Sequence, residues 1–120
     1  MHQGWDGVLE RDVSKLFSEF GNPRTIQTDR EWEDHVKEEG HNVKSFQVIQ
    51  VHQNDQNRCK YFTNKGENRR APVVMIGLTY RNRCLKVPIE PTGQMGVWRA
   101  VTAYDAGEGD VDRYHGRQQR

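Results

Sequence analysis

Three groups of side chains in this 120-residue sequence are of types that do chemistry. Trp32, His35 and Val36 fall at i, i+3 and i+4, so His35 shares a helical face with two apolar residues. An imidazole titrates near neutrality and can pass a proton either way, although the same spacing also suits a histidine packed beside Trp32. His41 follows six residues later, a separation that does not bring both rings to one helix face as metal ligands. Asp29, Glu31, Glu33 and Asp34 are an acidic run that a metal-dependent hydrolase could use. At a helix start, such charges more simply complement the positive end of the helix dipole. The third group is cationic and strand-borne, Arg81, Arg83, Lys86 and Arg99. It could neutralise phosphate or simply be solvated.

Several chemistries are not written in the chain. There is no GxGxxG, Walker A, GxSxG or HExxH pattern. Cys59 and Cys84 are too few for a disulfide framework, and their separation of 25 matches no zinc spacing. They read as two reduced thiols, with pairing left open because both fall in predicted strands.

These residues need elements to position them. Val8, Leu9, Val13, Leu16, Phe17 and Phe20 recur at helical spacing before Gly21-Asn22-Pro23, which predicts an amphipathic helix over 8–20. Arg24-Thr25-Ile26-Gln27-Thr28 reads as a short strand. Thr28 with Glu31 has the form of a capping box opening a helix over 29–39, with Gly40 as its stop. Residues 45–51 are ambiguous between helix and strand, and Asn54, Asp55 and Asn57 mark a loop. Strands are then predicted over 58–63, 73–80 and 83–89, with a loop at 64–68 and a tight turn at Arg81-Asn82. Pro88 marks an edge or an interruption. Residues 97–104 read as one strand, with Val97, Arg99, Val101 and Ala103 on one face and Trp98, Ala100, Thr102 and Tyr104 on the other. Past Asp105, Gly107, Gly109 and the charged end read as a frayed tail.

The resulting fold class is α+β, with N-terminal helices packed on an antiparallel sheet of four or more strands. One domain over 1–114, with a basic tail at 115–120, fits the length. A hydrophobic content of 33% allows one modest core. No apolar run is long enough to span a membrane, and the N-terminus lacks signal-peptide character, which together give a cytoplasmic reading. The net charge of +1 conceals a division. Residues 1–40 hold five Lys/Arg against ten Asp/Glu, whereas residues 41–104 hold ten against three. That division predicts a basic face suited to a polyanion, or a sheet whose acidic partners come from the helices.

The segment 24–104 resembles the barnase–EndoU–colicin–RelE (BECR) nucleases, particularly their phage-type branch. The resemblance rests on the 24–28 strand, Glu31-Trp32-Glu33-Asp34-His35-Val36 with His41 following, Lys60-Tyr61-Phe62, and Val101-Thr102-Ala103-Tyr104, in that order. Asn42 stands where the branch tends to carry Pro.

The resemblance implies a metal-independent endoribonuclease that cleaves by 2'-hydroxyl attack and needs no cofactor. Such proteins are often toxins, met by an antitoxin or immunity protein. It makes His35 the acid–base group and Thr102 a hydrogen-bond donor to the phosphate, with Arg81 beside them as the cation. By their chemistry Arg83, Lys86 and Arg99 could bind RNA electrostatically, and Tyr61 and Tyr104 could stack a base, although core packing suits at least one of the two tyrosines. The competing class is a non-catalytic RNA-binding or protein-interaction module on the same fold. Convergence of His35, Thr102 and an arginine would favour the enzyme, and their dispersal the binder. The sequence does not give the oligomeric state.

Overall fold

The computed structural model describes residues 13–64 and 70–116. Val8, Leu9, most of the 64–68 loop and residues 117–120 of the expected tail lie outside them. Four helices and six strands follow in the order α1 (Val13–Phe20), β1 (Thr25–Gln27), α2 (Arg30–Glu38), α3 (Ser45–Gln53), β2 (Lys60–Thr63), β3 (Val73–Leu78), β4 (Cys84–Pro91), β5 (Val97–Ala100), β6 (Tyr104–Asp105) and α4 (Glu108–His115).

The helices start and stop for local reasons. Gly21, with φ +87°, ends α1 and donates its N–H to the Phe17 carbonyl at 2.8 Å. α2 is capped by Asp29 rather than Thr28. The Asp29 backbone is extended, and its carboxylate accepts the Trp32 N–H at 2.7 Å. The ambiguous 45–51 stretch is helical. Val48 and Val51, three apart, are fully buried on one side of α3, a grouping that strand alternation would split. Glu33 supplies an acceptor to α3's first turn, taking the Ser45 N–H at 2.7 Å, and this holds its carboxyl below the ordinary value. Two members of the acidic run are thus occupied with helix starts.

The sheet order is β1-β5-β4-β3-β2. All neighbours are antiparallel except β1 and β5, which run parallel with Ile26 opposite Trp98, so the sheet is mixed at one edge. One face carries Val73, Met75, Leu85, Val87, Ile89 and Trp98 against α1, α2 and α3 through Leu16, Trp32, Val36 and Val48. The opposite face carries Val74 and Ile76, with Phe62 and Leu78, under Tyr114 of α4. The stretch past Asp105 is therefore helical rather than frayed as far as His115. Its sequence hides this, because Gly109 and three acidic residues leave only Val111 and Tyr114 as an apolar stripe, and packing of Tyr114 supplies the rest. Cys59 packs with the first cluster and Cys84 with the second. Both thiols are free and lie on opposite sides of the sheet.

The expected strand over 97–104 is broken. β4 pairs with β5 at one end, Ile89 opposite Ala100, and with β6 at the other, Lys86 opposite Tyr104. Continuing the first ladder would place Ala103 opposite Lys86, so one extra residue is accommodated in between, as in a β-bulge. Pro88, which has no N–H for the ladder, faces this gap, and its carbonyl accepts the Val101 N–H at 2.8 Å. Alternation therefore fails after Ala100, and Val101, Thr102 and Ala103 are buried in succession.

Candidate functional site

The break in the ladder leads Thr102 to the C-terminal end of α2. Its hydroxyl donates to Glu39 Oε1 at 2.7 Å, while Glu39 Oε2 stands 3.2 Å from His35 Nε2. His35 and Glu39 are i and i+4 on α2, which is why one carboxylate reaches the ring. The carboxylate of Glu39 sits at a helix C-terminus, where the dipole disfavours negative charge. Its contacts with Thr102 and His35 offset that cost. Thr102 is buried, and the His35 side chain is 58% exposed, so the imidazole faces solvent with one edge held. His35 is not a core histidine.

A second histidine joins from the turn after α2. Gly40, with φ +90°, ends the helix, and the His41 N–H returns to the Val36 carbonyl at 3.0 Å. The His41 ring then lies against Tyr104, with centroids 5.1 Å apart and planes at 45°. Next to Tyr104, Asp105 is bound by Arg83 through Nε at 2.6 Å and Nη2 at 3.1 Å. The Arg83 hydrogen bond, and then the charges of Arg83 and His41, hold the Asp105 carboxyl below its ordinary range. Arg83 also donates from Nη1 to the Asn42 carbonyl at 2.7 Å and to Gln47 at 3.3 Å. Its guanidinium is filled with protein acceptors. It clamps the segment carrying His41 to the strand carrying Tyr104, and has little left for phosphate.

His35 and Thr102 are thereby joined through Glu39, and the adjoining residues of both segments make the His41–Tyr104 and Arg83–Asp105 contacts. Arg81 is exposed at the β3–β4 turn, where its backbone N–H meets Thr79 Oγ1 at 3.3 Å. Lys86 lies toward α4, 3.1 Å from Asp110. Arg99 pairs with Glu90 at 2.9 Å, as does Arg70. Tyr61 stacks edge-on against Phe17 at 5.1 Å on the inner face, and burial holds its phenol far above the ordinary value. It belongs to the core side rather than to this surface. Three of the strand cations thus have carboxylate partners, two of them supplied after the basic stretch by Asp105 and Asp110.

Glu39 is absent from the sequence reading, and His41 enters it only through the resemblance; the i, i+4 relation of His35 and Glu39 was a usable signal. Among the described residues, no three His, Cys, Asp or Glu side chains cluster as metal donors, and no helix is long and apolar enough to cross a membrane. No family model matches the chain, and no curated protein matches it in sequence.

Proposed function

We propose that this chain is a metal-independent endoribonuclease acting by 2'-hydroxyl attack, with its centre at His35, Glu39, Thr102, His41 and Tyr104. The observation that carries the reading is the Glu39 carboxylate joining the solvent-facing His35 to Thr102, with a second histidine held on Tyr104 two residues farther along the chain. Cleavage of this kind needs one group to remove the 2'-OH proton and another to protonate the departing 5'-oxygen. Two imidazoles of separate environment can divide those tasks. Glu39 orients the His35 ring, and the two imidazoles take the acid and base roles between them. Thr102 positions Glu39, and its hydroxyl can turn toward a phosphoryl oxygen when substrate displaces that contact.

The resemblance to BECR nucleases supports the same reaction class. It also extends the reading to a cytoplasmic toxin with an antitoxin or immunity protein as partner. The test is incubation of the purified protein with total RNA, with and without EDTA, followed by end-group analysis. Cleavage that persists in EDTA and leaves 2',3'-cyclic or 3'-phosphate ends is expected. No cleavage, or cleavage abolished by EDTA, overturns the proposal. One observation favours the runner-up, a non-catalytic protein-interaction module on the same fold: Arg83, Lys86 and Arg99 each already hold a carboxylate and are not free for phosphate. That reading expects neither cleavage of RNA nor salt-sensitive binding to it.

A further inference from the structure

A polar pocket of about 430 Å³ lies at the other end of α3, between the loop after that helix and the β3–β4 turn. Its frame is built by Asn54, which is buried. The Asn54 amide donates to the Leu78 carbonyl at 2.9 Å, and its oxygen accepts the N–H groups of Gln56 and Asn57 at 3.2 and 2.9 Å. Asn82, at φ +68°, turns the hairpin across the mouth, and Thr79 closes that turn by accepting the Arg83 N–H at 3.1 Å. The side-chain amides of Gln53, Gln56, Asn57 and Asn82 make no hydrogen bond to other described residues, and these four residues line the pocket together with Asp55. Beside them the Tyr80 ring is 58% exposed, although its backbone is held by Gln50 at 3.1 Å. Arg81 follows it.

This pocket is physically connected to the candidate active site. Gln47 and Gln50 of α3, and Asn54 at its C-cap, stand at i, i+3 and i+7, and each bonds the hairpin: Gln47 to Arg83, Gln50 to Tyr80 and Asn54 to Leu78. The stripe runs roughly 10 Å, seven residues at the helical rise. Its near end is the Arg83 clamp on Asn42, next to His41.

We infer that the pocket is a recognition subsite for an unpaired nucleobase of single-stranded RNA, which stacks on Tyr80 while the surrounding amides bond its edge. An amide presents one donor beside one acceptor, the pattern found on the hydrogen-bonding edges of bases, and an exposed tyrosine offers a face that any base can cover. Arg81, exposed next to Tyr80, meets the phosphate of the same nucleotide. The inference rests on the ribonuclease reading for its substrate class. It gives Arg81 a binding role away from the reacting atoms.

The test uses the full chain and a single-stranded RNA octamer carrying 2'-O-methyl groups, which cannot undergo 2'-hydroxyl attack. Wild type is expected to bind it, Tyr80→Ala to bind about tenfold more weakly, and Tyr80→Phe to bind like wild type. The double variant Gln53→Ala, Asn57→Ala is expected to weaken binding similarly. An abasic octamer should bind as weakly as the base-bearing one does to Tyr80→Ala, with no further loss in that variant. Absence of wild-type binding overturns the inference, as does equal binding by Tyr80→Ala, or an equal loss on abasic and base-bearing strands. Because the probe cannot be cut, failure of the cleavage assay overturns the ribonuclease reading alone and leaves this measurement standing.

Discussion

Glu39 and Thr102, 63 positions apart in sequence, are joined by a 2.7 Å hydrogen bond, and the other oxygen of the same carboxylate meets His35. If His35 transfers a proton, His35→Ala is expected to lower the cleavage rate by about 10²–10⁴. Its exposure means that thermal stability should change little. A His35→Ala protein that stays folded and cleaves as fast as wild type removes His35 from the mechanism.

Thr102→Val keeps the volume and removes one hydrogen bond, for a stability loss of about 1 kcal/mol. Its rate should fall less than that of His35→Ala, because Glu39 keeps its contact with the ring. A larger fall than that of His35→Ala would give Thr102 the direct role and His35 the supporting one. Paired denaturation and rate measurements separate the two.

The Asp105 carboxyl is held below its ordinary value, chiefly by the hydrogen bond from Arg83. A depressed carboxyl contributes stability that is complete above its unfolded pKa, about 4 for aspartate, and disappears as pH falls through the lower folded value. Asp105 is 68% exposed, so solvent screening keeps the contribution small. Urea midpoints between about pH 2 and 6 should fall less steeply on the acid side for Asp105→Asn than for wild type. Identical acid slopes would show that the pair is broken in solution.

Gly21→Ala is expected to destabilise by about 2 kcal/mol or more. The φ of +87° disfavours any side chain, and a Cβ would meet the Gly96 nitrogen at 2.5 Å, where the end of α1 seats on the turn before β5. A melting temperature unchanged from wild type would count against this contact.

Tyr114→Ala should release α4, because Tyr114 is that helix's one buried residue. The expected loss is about 3 kcal/mol, with hydrogen-exchange protection falling first in residues 108–115. Protection that survives there would mean that the polar contacts of α4, the Lys86–Asp110 pair and Arg113 over the Phe62 ring among them, suffice to hold it.

Spacing made α1 and α2 legible in the sequence, and Gly21 and Gly40 marked their ends, whereas α3 was ambiguous and α4 read as a tail. Val73 to Ile76 were readable as a strand, but not as one buried on both faces, because that depends on α4, whose own sequence is polar. In Ser45 to Val51 the apolar residues Phe46, Val48, Ile49 and Val51 fit strand alternation in part and helical spacing in part, so neither period dominated. Pro88 marks neither an edge nor a break in its own strand, since β4 runs unbroken from Cys84 to Pro91 between β5 and β3; the shift of one residue falls in its neighbour, between Ala100 and Tyr104, and is a property of two strands together. His35 and Thr102 were legible as candidates. Their link through Glu39 was not, since only tertiary packing decides which of two adjacent glutamates faces the sheet.

The parallel pairing of β1 with β5 joins Thr25 to Val97, and Trp98 Nε1 donates to the Gly21 carbonyl across 77 positions. Closing a loop of that length costs chain entropy before any contact returns it, and such topologies fold slowly. The helices, and with them the His35–Glu39 contact, can form early from local contacts, whereas Glu39 gains Thr102 and His41 gains Tyr104 only when residues 97–105 have docked. A nascent chain therefore carries both histidines long before it has a site. In a refolding time course, helical signal should recover first, and activity should return with the slowest structural phase.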